Sequence, residues 1–187
     1  VLTGGTATSG SDYVYIVGTA LITGGNTGVT VRVTTTGDLV YEGDETVLFV
    51  LSSASVNASI SDSTGVVTIT DDDTTPSISV NDISITEAGS GLITISLSNA
   101  TTGNVTVNYV LTGGTATSGS DYVYIVGTAL ITGGNTGVTV RVTTTGDLVY
   151  EGDETVLFVL SSASVNASIS DSTGVVTITD DDTTPSI

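Results

Sequence analysis

Neither cysteine nor histidine occurs in this chain of 187 residues, and methionine, tryptophan and lysine are missing as well. Without thiols or imidazoles there are no disulfides, no zinc, copper or iron–sulfur site of the usual donors, no cysteine nucleophile and no histidine base. The lack of lysine also removes lysine–asparagine isopeptide crosslinks. Positive charge comes from Arg32 and Arg141 alone, against 20 acids, for a formal net charge of −18. Nothing here can neutralise a row of phosphates, so nucleic acid is excluded as a partner, and so is an anionic membrane surface. No run of about 18 apolar residues occurs, so no membrane insertion of this segment is expected. The chain opens VLTGG, with neither a methionine nor a leader, as an excerpt of something longer would.

What is present favours strands. Apolar residues make up 39%, most of them Val, Ile and Leu, with abundant Thr and Ser and 23 glycines. β-Branched residues suit pleated sheets, and no helical period runs through the chain, so an all-β fold is expected. Residues 1–78 recur letter for letter as residues 110–187, a tandem repeat of 109 residues. That is far longer than a solenoid unit and is the size of a whole β-sandwich domain. The linker signal is DDDTTPS, where charge gives way to Thr-Thr-Pro between two apolar strands. Cutting there predicts a domain over 1–73 that lacks its first strands, a complete domain over 74–182, and the start of a further repeat at 183–187.

Within the complete unit, short segments alternate with period 2. Ile78 and Val80, then Ile83 and Ile85, flank a kink at Asn81-Asp82. Ile93, Ile95 and Leu97 alternate with Thr and Ser, as do Val105, Val107 and Tyr109, and Val138, Val140 and Val142 lie opposite Arg141. TVLFVLS (155–161) is apolar on both faces and reads as a central strand, and GVVTITD (174–180) closes the unit. About seven strands of this kind predict an immunoglobulin-like antiparallel β-sandwich.

The acids collect at strand ends, while outward strand positions carry Thr, Ser and Asn. The loop 147–154 precedes one strand and Asp180–Asp182 end a later one. If the two strands pair antiparallel, both acidic groups meet at one pole. So many carboxylates repel one another unless cations intervene, and their hard oxygens suit Ca²⁺, which takes 6–8 oxygen ligands, better than the smaller, rigidly octahedral Mg²⁺. Taken alone, the DDD run could equally be a solvated turn that blunts a sheet edge. Asp82 reads as an Asx turn, Asp153 as solvent-facing and Asp171 as a turn residue at the far end.

GTATSGSDY (114–122), GDLVYEGDETVLFVLS (146–161) and VVTITDDD (175–182), preceded by SVNDISITEAGSG (79–91), resemble the Calx-beta domain over the whole repeat. That family includes regulatory domains of sodium–calcium exchangers, part of an integrin tail and repeats of large bacterial surface adhesins of the RTX type. The resemblance implies Ca²⁺ held at one pole by Glu87, Asp121, Asp147, Glu151, Glu154, Asp180, Asp181 and Asp182. The first copy keeps Asp12, Asp38, Glu42, Glu45, Asp71, Asp72 and Asp73 but no counterpart of Glu87, so its site is expected to be weaker unless another chain completes it. One departure is that Thr155-Val156 replaces the customary aromatic after Asp-Glu, with Phe158 deeper in the strand. The resemblance further implies a non-enzymatic extracellular role, as a calcium-stiffened repeat of a surface adhesin that contacts neighbouring repeats. The alternatives are a self-associating filament completed by a neighbouring chain's strands, and a glycan-binding module using Tyr122 and Tyr124.

Overall fold

Alternation of β-branched and hydroxyl residues gives each segment one face to bury and one to leave in water, and every regular element of the computed structural model, which describes residues 1–187, is a strand. The chain divides into two units, Val1–Asp73 and Thr74–Ile187. The first holds β1 (Leu2–Gly5), β2 (Val40–Tyr41), β3 (Glu45–Val50) and β4 (Thr64–Ile69). Strands β1, β3 and β4 form a three-stranded antiparallel sheet in that order. Its small core comprises Leu2, Tyr13 and Val47, with Phe49, Val67 and Ile69 packed partly against them.

The second unit holds β5 (Ser77–Val80), β6 (Ile83–Thr86), β7 (Ser90–Leu97), β8 (Ala100–Thr101), β9 (Val105–Thr112), β10 (Val126–Ile131), β11 (Gly137–Thr143), β12 (Glu154–Ser161), β13 (Ser168–Ile169) and β14 (Thr173–Thr179). A five-stranded sheet runs β10-β9-β12-β14-β6, and a four-stranded sheet runs β11-β7-β5-β13. Between them lies one core. Val105, Val107, Val156, Phe158, Leu160, Val176 and Ile178 come from the first sheet, and Ile78, Ile93, Ile95 and Val142 from the second. The ring of Phe158 stacks on Tyr109 at 5.1 Å and 15°, so the departure after Asp-Glu moves the aromatic inward without emptying the core. Each such buried side chain contributes about 1.5–3 kcal/mol over its exposed state.

The fold is the expected sandwich, with more strands than the periodicity alone predicts. The opening strand is split at Asn81-Asp82, so that β5 joins one sheet and β6 the other. The kink is tied on both sides. Asn81 Oδ1 accepts the Thr94 amide at 2.6 Å, and Asp82 Oδ1 accepts the Val175 amide at 2.7 Å. Asp82 thus serves the sheet switch rather than the acidic pole. Two pairings are parallel, β14 with β6 and β13 with β5, because both halves of the opening strand run alongside late strands. VGTALI, which forms β10, was not singled out in the sequence, since Gly127 and Ala129 blur its alternation.

Candidate metal centre

Strand directions build the pole. Strands β12 and β14 pair antiparallel with Glu154 opposite Ile178, so the loop entering β12 and the run leaving β14 emerge side by side. Asp180 locks them together. Its Oδ2 accepts the amides of Glu151 at 3.0 Å and Gly152 at 2.6 Å, and its Oδ1 accepts the amide of Asp182 at 2.9 Å. Gly152 stands at φ 79°, a left-handed turn that a side chain would strain. Asp153, read from the sequence as solvent-facing, is exposed yet accepts the Asp180 amide on Oδ1 at 3.3 Å.

Glu87 arrives from the other side. Parallel pairing sets Thr86 beside Thr179, and the Glu87 amide donates to the Thr179 carbonyl at 3.1 Å. The buried Thr144 hydroxyl fixes the turn that follows, donating to the Thr86 carbonyl at 2.9 Å and accepting the Gly89 amide at 2.9 Å. Asp121 is held by its own loop, where its Oδ2 accepts the Thr117 amide and its carbonyl accepts the Thr145 amide at 2.8 Å. Its neighbour Tyr122 is buried and closes the end of the sandwich, whereas Tyr124 is exposed.

Two groups of carboxylates result in the second unit. Oxygens of Glu87, Asp180 and Asp182 lie within 4.8 Å of one another, as do those of Asp121, Glu151 and Glu154. The first unit repeats the second of these groups as Asp12, Glu42 and Glu45, also within 4.8 Å. Asp71 there accepts the amides of Glu42 at 3.0 Å and Gly43 at 2.6 Å, and that of Asp73 at 3.0 Å. With no residue equivalent to Glu87, the other group does not form around it. Asp147 and Asp38 cap their own loops, accepting the amides of Val149 at 2.7 Å and Val40 at 2.8 Å. Their charges still bear on the pole, Asp147 on Glu87, Glu151 and Asp182 and Asp38 on Glu42 and Asp73. Asp72 and Asp181 are exposed and join neither kind of group.

Crowding shows in the proton affinities. Glu154 is pushed up to about 7, first by burial, then by a hydrogen bond with Asp121 and by the charges of Asp121, Glu151 and Glu87. Glu45 is pushed up to about 7 in the same way, with Asp12 as its partner. Burial and then the charges of Asp180 and Asp182 raise Glu87. Burial, then Asp180, Asp181 and Asp147, raise Asp182. Asp180 moves the other way, held low by the amides of Asp182 and Gly152. Asp71 is lowered too, since the amides of Gly43, Asp73 and Glu42 outweigh its burial.

One atom decides what this arrangement lacks. Asp182 Oδ2 is buried and makes no hydrogen bond, next to two further carboxylates. A buried anionic oxygen without a donor is costly, and an all-oxygen set of this kind fits a hard cation. Sequence reasoning did not identify the anchoring roles of Asp153 and the Gly152 amide. The spacing EGDE…DDD carries their signal only once β12 and β14 are paired.

The family model of the Calx-beta domain matches residues 2–73 and 70–182. The chain belongs to the Calx-beta domain family. Among solved structures, the apo form of the Calx CBD1 domain is 23% identical at a TM-score of 0.52, covering 56% of this chain and 98% of that one. CBD12 from CALX1.2 is 23% identical at a TM-score of 0.54, covering 57% of this chain and 44% of that one. The calcium binding domain CBD12 of CALX1.1 is 24% identical at a TM-score of 0.52, covering 55% and 42%. At this identity the likeness is one of fold, and the chain spans less than half of either CBD12 structure. A search of curated proteins finds no match.

Proposed function

We propose that this Calx-beta chain is a calcium-binding structural repeat of a long extracellular array, the extender of a bacterial surface adhesin, and that it has no enzymatic role. The observation that carries the metal reading is the orphaned Asp182 Oδ2 beside Glu87 and Asp180. Asp180 spends its oxygens on backbone amides and positions the loop, while Glu87, Asp121, Glu151, Glu154 and Asp182 present oxygens to the ion. Calcium is favoured over magnesium because these oxygens come from four separate segments of chain, a flexible set of the kind Ca²⁺ accepts. The name of one fold relative, a calcium binding domain, points the same way.

The array reading rests on the repeat itself. Two copies of identical sequence cannot divide sensing labour between different calcium concentrations, but they can build length. The run Asp180–Asp182 lies directly ahead of the Thr-Thr-Pro linker, so an ion there would order the end of one repeat where the next begins. At extracellular, millimolar calcium even a weak site fills, and a ligand at about 100 times its Kd adds roughly 2.7 kcal/mol to the folded state. The test is thermal unfolding and small-angle scattering in about 5 mM calcium, in magnesium and in excess chelator. A higher Tm and a longer, stiffer particle in calcium alone are expected. Identical curves in all three solutions would leave the acids as a soluble surface.

A further inference from the structure

Alternate residues of the five-stranded sheet β10-β9-β12-β14-β6 face away from the core, and six large side chains meet there in an apolar patch. Val126 lies opposite Val110, and Val110 opposite Val159. Leu157, two residues from Val159 and so on the same face, lies opposite Val175. Tyr124 continues the outward alternation two residues ahead of Val126. Val126 is 65% and Tyr124 52% exposed, and the other four are half-buried. Thr106, Asn108 and Thr128 flank the patch towards one end of the strands, and Thr155 and Thr177 towards the other. Glu154 is the one charged residue within these five strands, and it has the inward parity of Val156. The outer face of the four-stranded sheet is of another kind. Ser79, Thr94, Ser96 and Thr139 cover it, with exposed Leu92 opposite Arg141.

We propose that the outer face of the five-stranded sheet is where a second copy of this chain docks, sheet against sheet, about a two-fold axis. An apolar centre with a neutral hydroxyl and amide rim is the anatomy of a protein–protein contact, whereas apolar residues scattered singly need no partner. Charge selects the occupant. The chain carries −18, so an identical chain is repelled wherever acids face each other. Across this face no charges meet, and the valines and threonines of one copy meet their own kind. Area sets the strength. Five strands about 4.8 Å apart, each about seven residues of about 3.3 Å, cover about 550 Å² per copy. A dimer then buries about 1,100 Å², just above the roughly 1,000 Å² that a specific contact needs, which fits a weak association. The acids also choose the orientation. A two-fold axis across the strands sets the acidic poles at opposite ends, whereas one along the strands brings them side by side, so the antiparallel dimer forms. None of the proposed metal ligands takes part, and the contact stands or falls separately from calcium binding.

Sedimentation equilibrium of the full chain in excess chelator, up to about 1 mM, reads the contact with no metal present. A monomer–dimer equilibrium is expected, tightening as salt rises from about 0.05 to 0.5 M because screening removes the repulsion between acidic chains. The chain with Val126→Asp and Val159→Asp should dimerise at least about tenfold more weakly. Leu92→Asp with Thr139→Asp adds the same charge to the other outer face and should leave the constant within about twofold. A chain that stays monomeric at about 1 mM in 0.5 M salt overturns the proposal, and so does equal weakening by the two pairs. If the aspartates disturb the sheet, single cysteines decide, since the chain has none of its own. Val159→Cys, at the centre of the patch, should be joined to itself by a bismaleimide spanning about 10 Å, the separation of packed sheets, and Leu92→Cys should not. Equal crosslinking of both, or of neither, refutes the contact.

Discussion

Changing Glu154 and its copy Glu45 together to glutamine should stabilise the metal-free chain at neutral pH and destabilise it in calcium. Both carboxyls are raised from 4.5 to about 7, first by burial and then by hydrogen bonds to Asp121 and Asp12. The folded chain therefore keeps protons there that the unfolded chain releases. Their stabilisation is complete below about pH 4.5 and is lost as pH rises through about 7. Glutamine retains a donor for the aspartate and never ionises. Each pKa unit corresponds to about 1.4 kcal/mol, but both side chains keep contact with water, which screens the effect to about 1–2 kcal/mol per unit of the chain. For domains of this size that is about 4–8 °C in Tm for each kcal/mol. In calcium the sign reverses, because the variant loses an anionic ligand and much of the roughly 2.7 kcal/mol that a filled site adds. Differential scanning calorimetry of parent and variant in chelator, from about pH 5 to pH 8, and again with calcium, measures both. The reasoning fails if the metal-free variant melts below its parent at neutral pH, or if it keeps the parent's fall in Tm between pH 5 and 7.

Asp180→Ala removes the acceptor of three backbone amides and should lower the denaturation midpoint at neutral pH, a loss that shrinks only as pH drops below the usual carboxylate range because the native carboxylate is held low. Phe158→Ala should cost about 3–5 kcal/mol, whereas Phe49→Ala, the same change in the half-buried copy, should cost much less, as paired denaturation curves would show. Gly114→Ala should destabilise by more than about 1 kcal/mol, since Gly114 stands at φ +83° and an added Cβ would land on the Thr155 carbonyl oxygen.

Much of the site was legible before any coordinates. Glu151, Glu154, Asp180 and Asp182 lie at strand ends that any antiparallel pairing of 155–161 with 174–180 brings together, whereas Glu87 reaches the pole through the parallel pairing of β6 with β14 and Asp121 through its own loop. The division of work among them was not legible. Asp180 and Asp153 bond to amides, whereas Asp182 keeps a bare oxygen, and that contrast depends on turn geometry around Gly152. Likewise the kink at Asn81-Asp82 was visible, but its use as a switch between sheets required knowing that Val175 and Thr94 stand on either side of it.

The repeat separates the two kinds of information. Composition and period 2 made the chain all-β, placed its core residues on alternate positions and concentrated its acids at the strand ends, because those features depend only on neighbours along the chain. Whether VGTALI and GVTVRVT become strands did not depend on them. The two stretches read the same at 17–22 and 28–34 as at 126–131 and 137–143, and only the second pair is hydrogen-bonded into sheets. A strand satisfies its backbone through another segment, so its existence is decided by what lies beside it, as β9 does for β10 and β7 for β11.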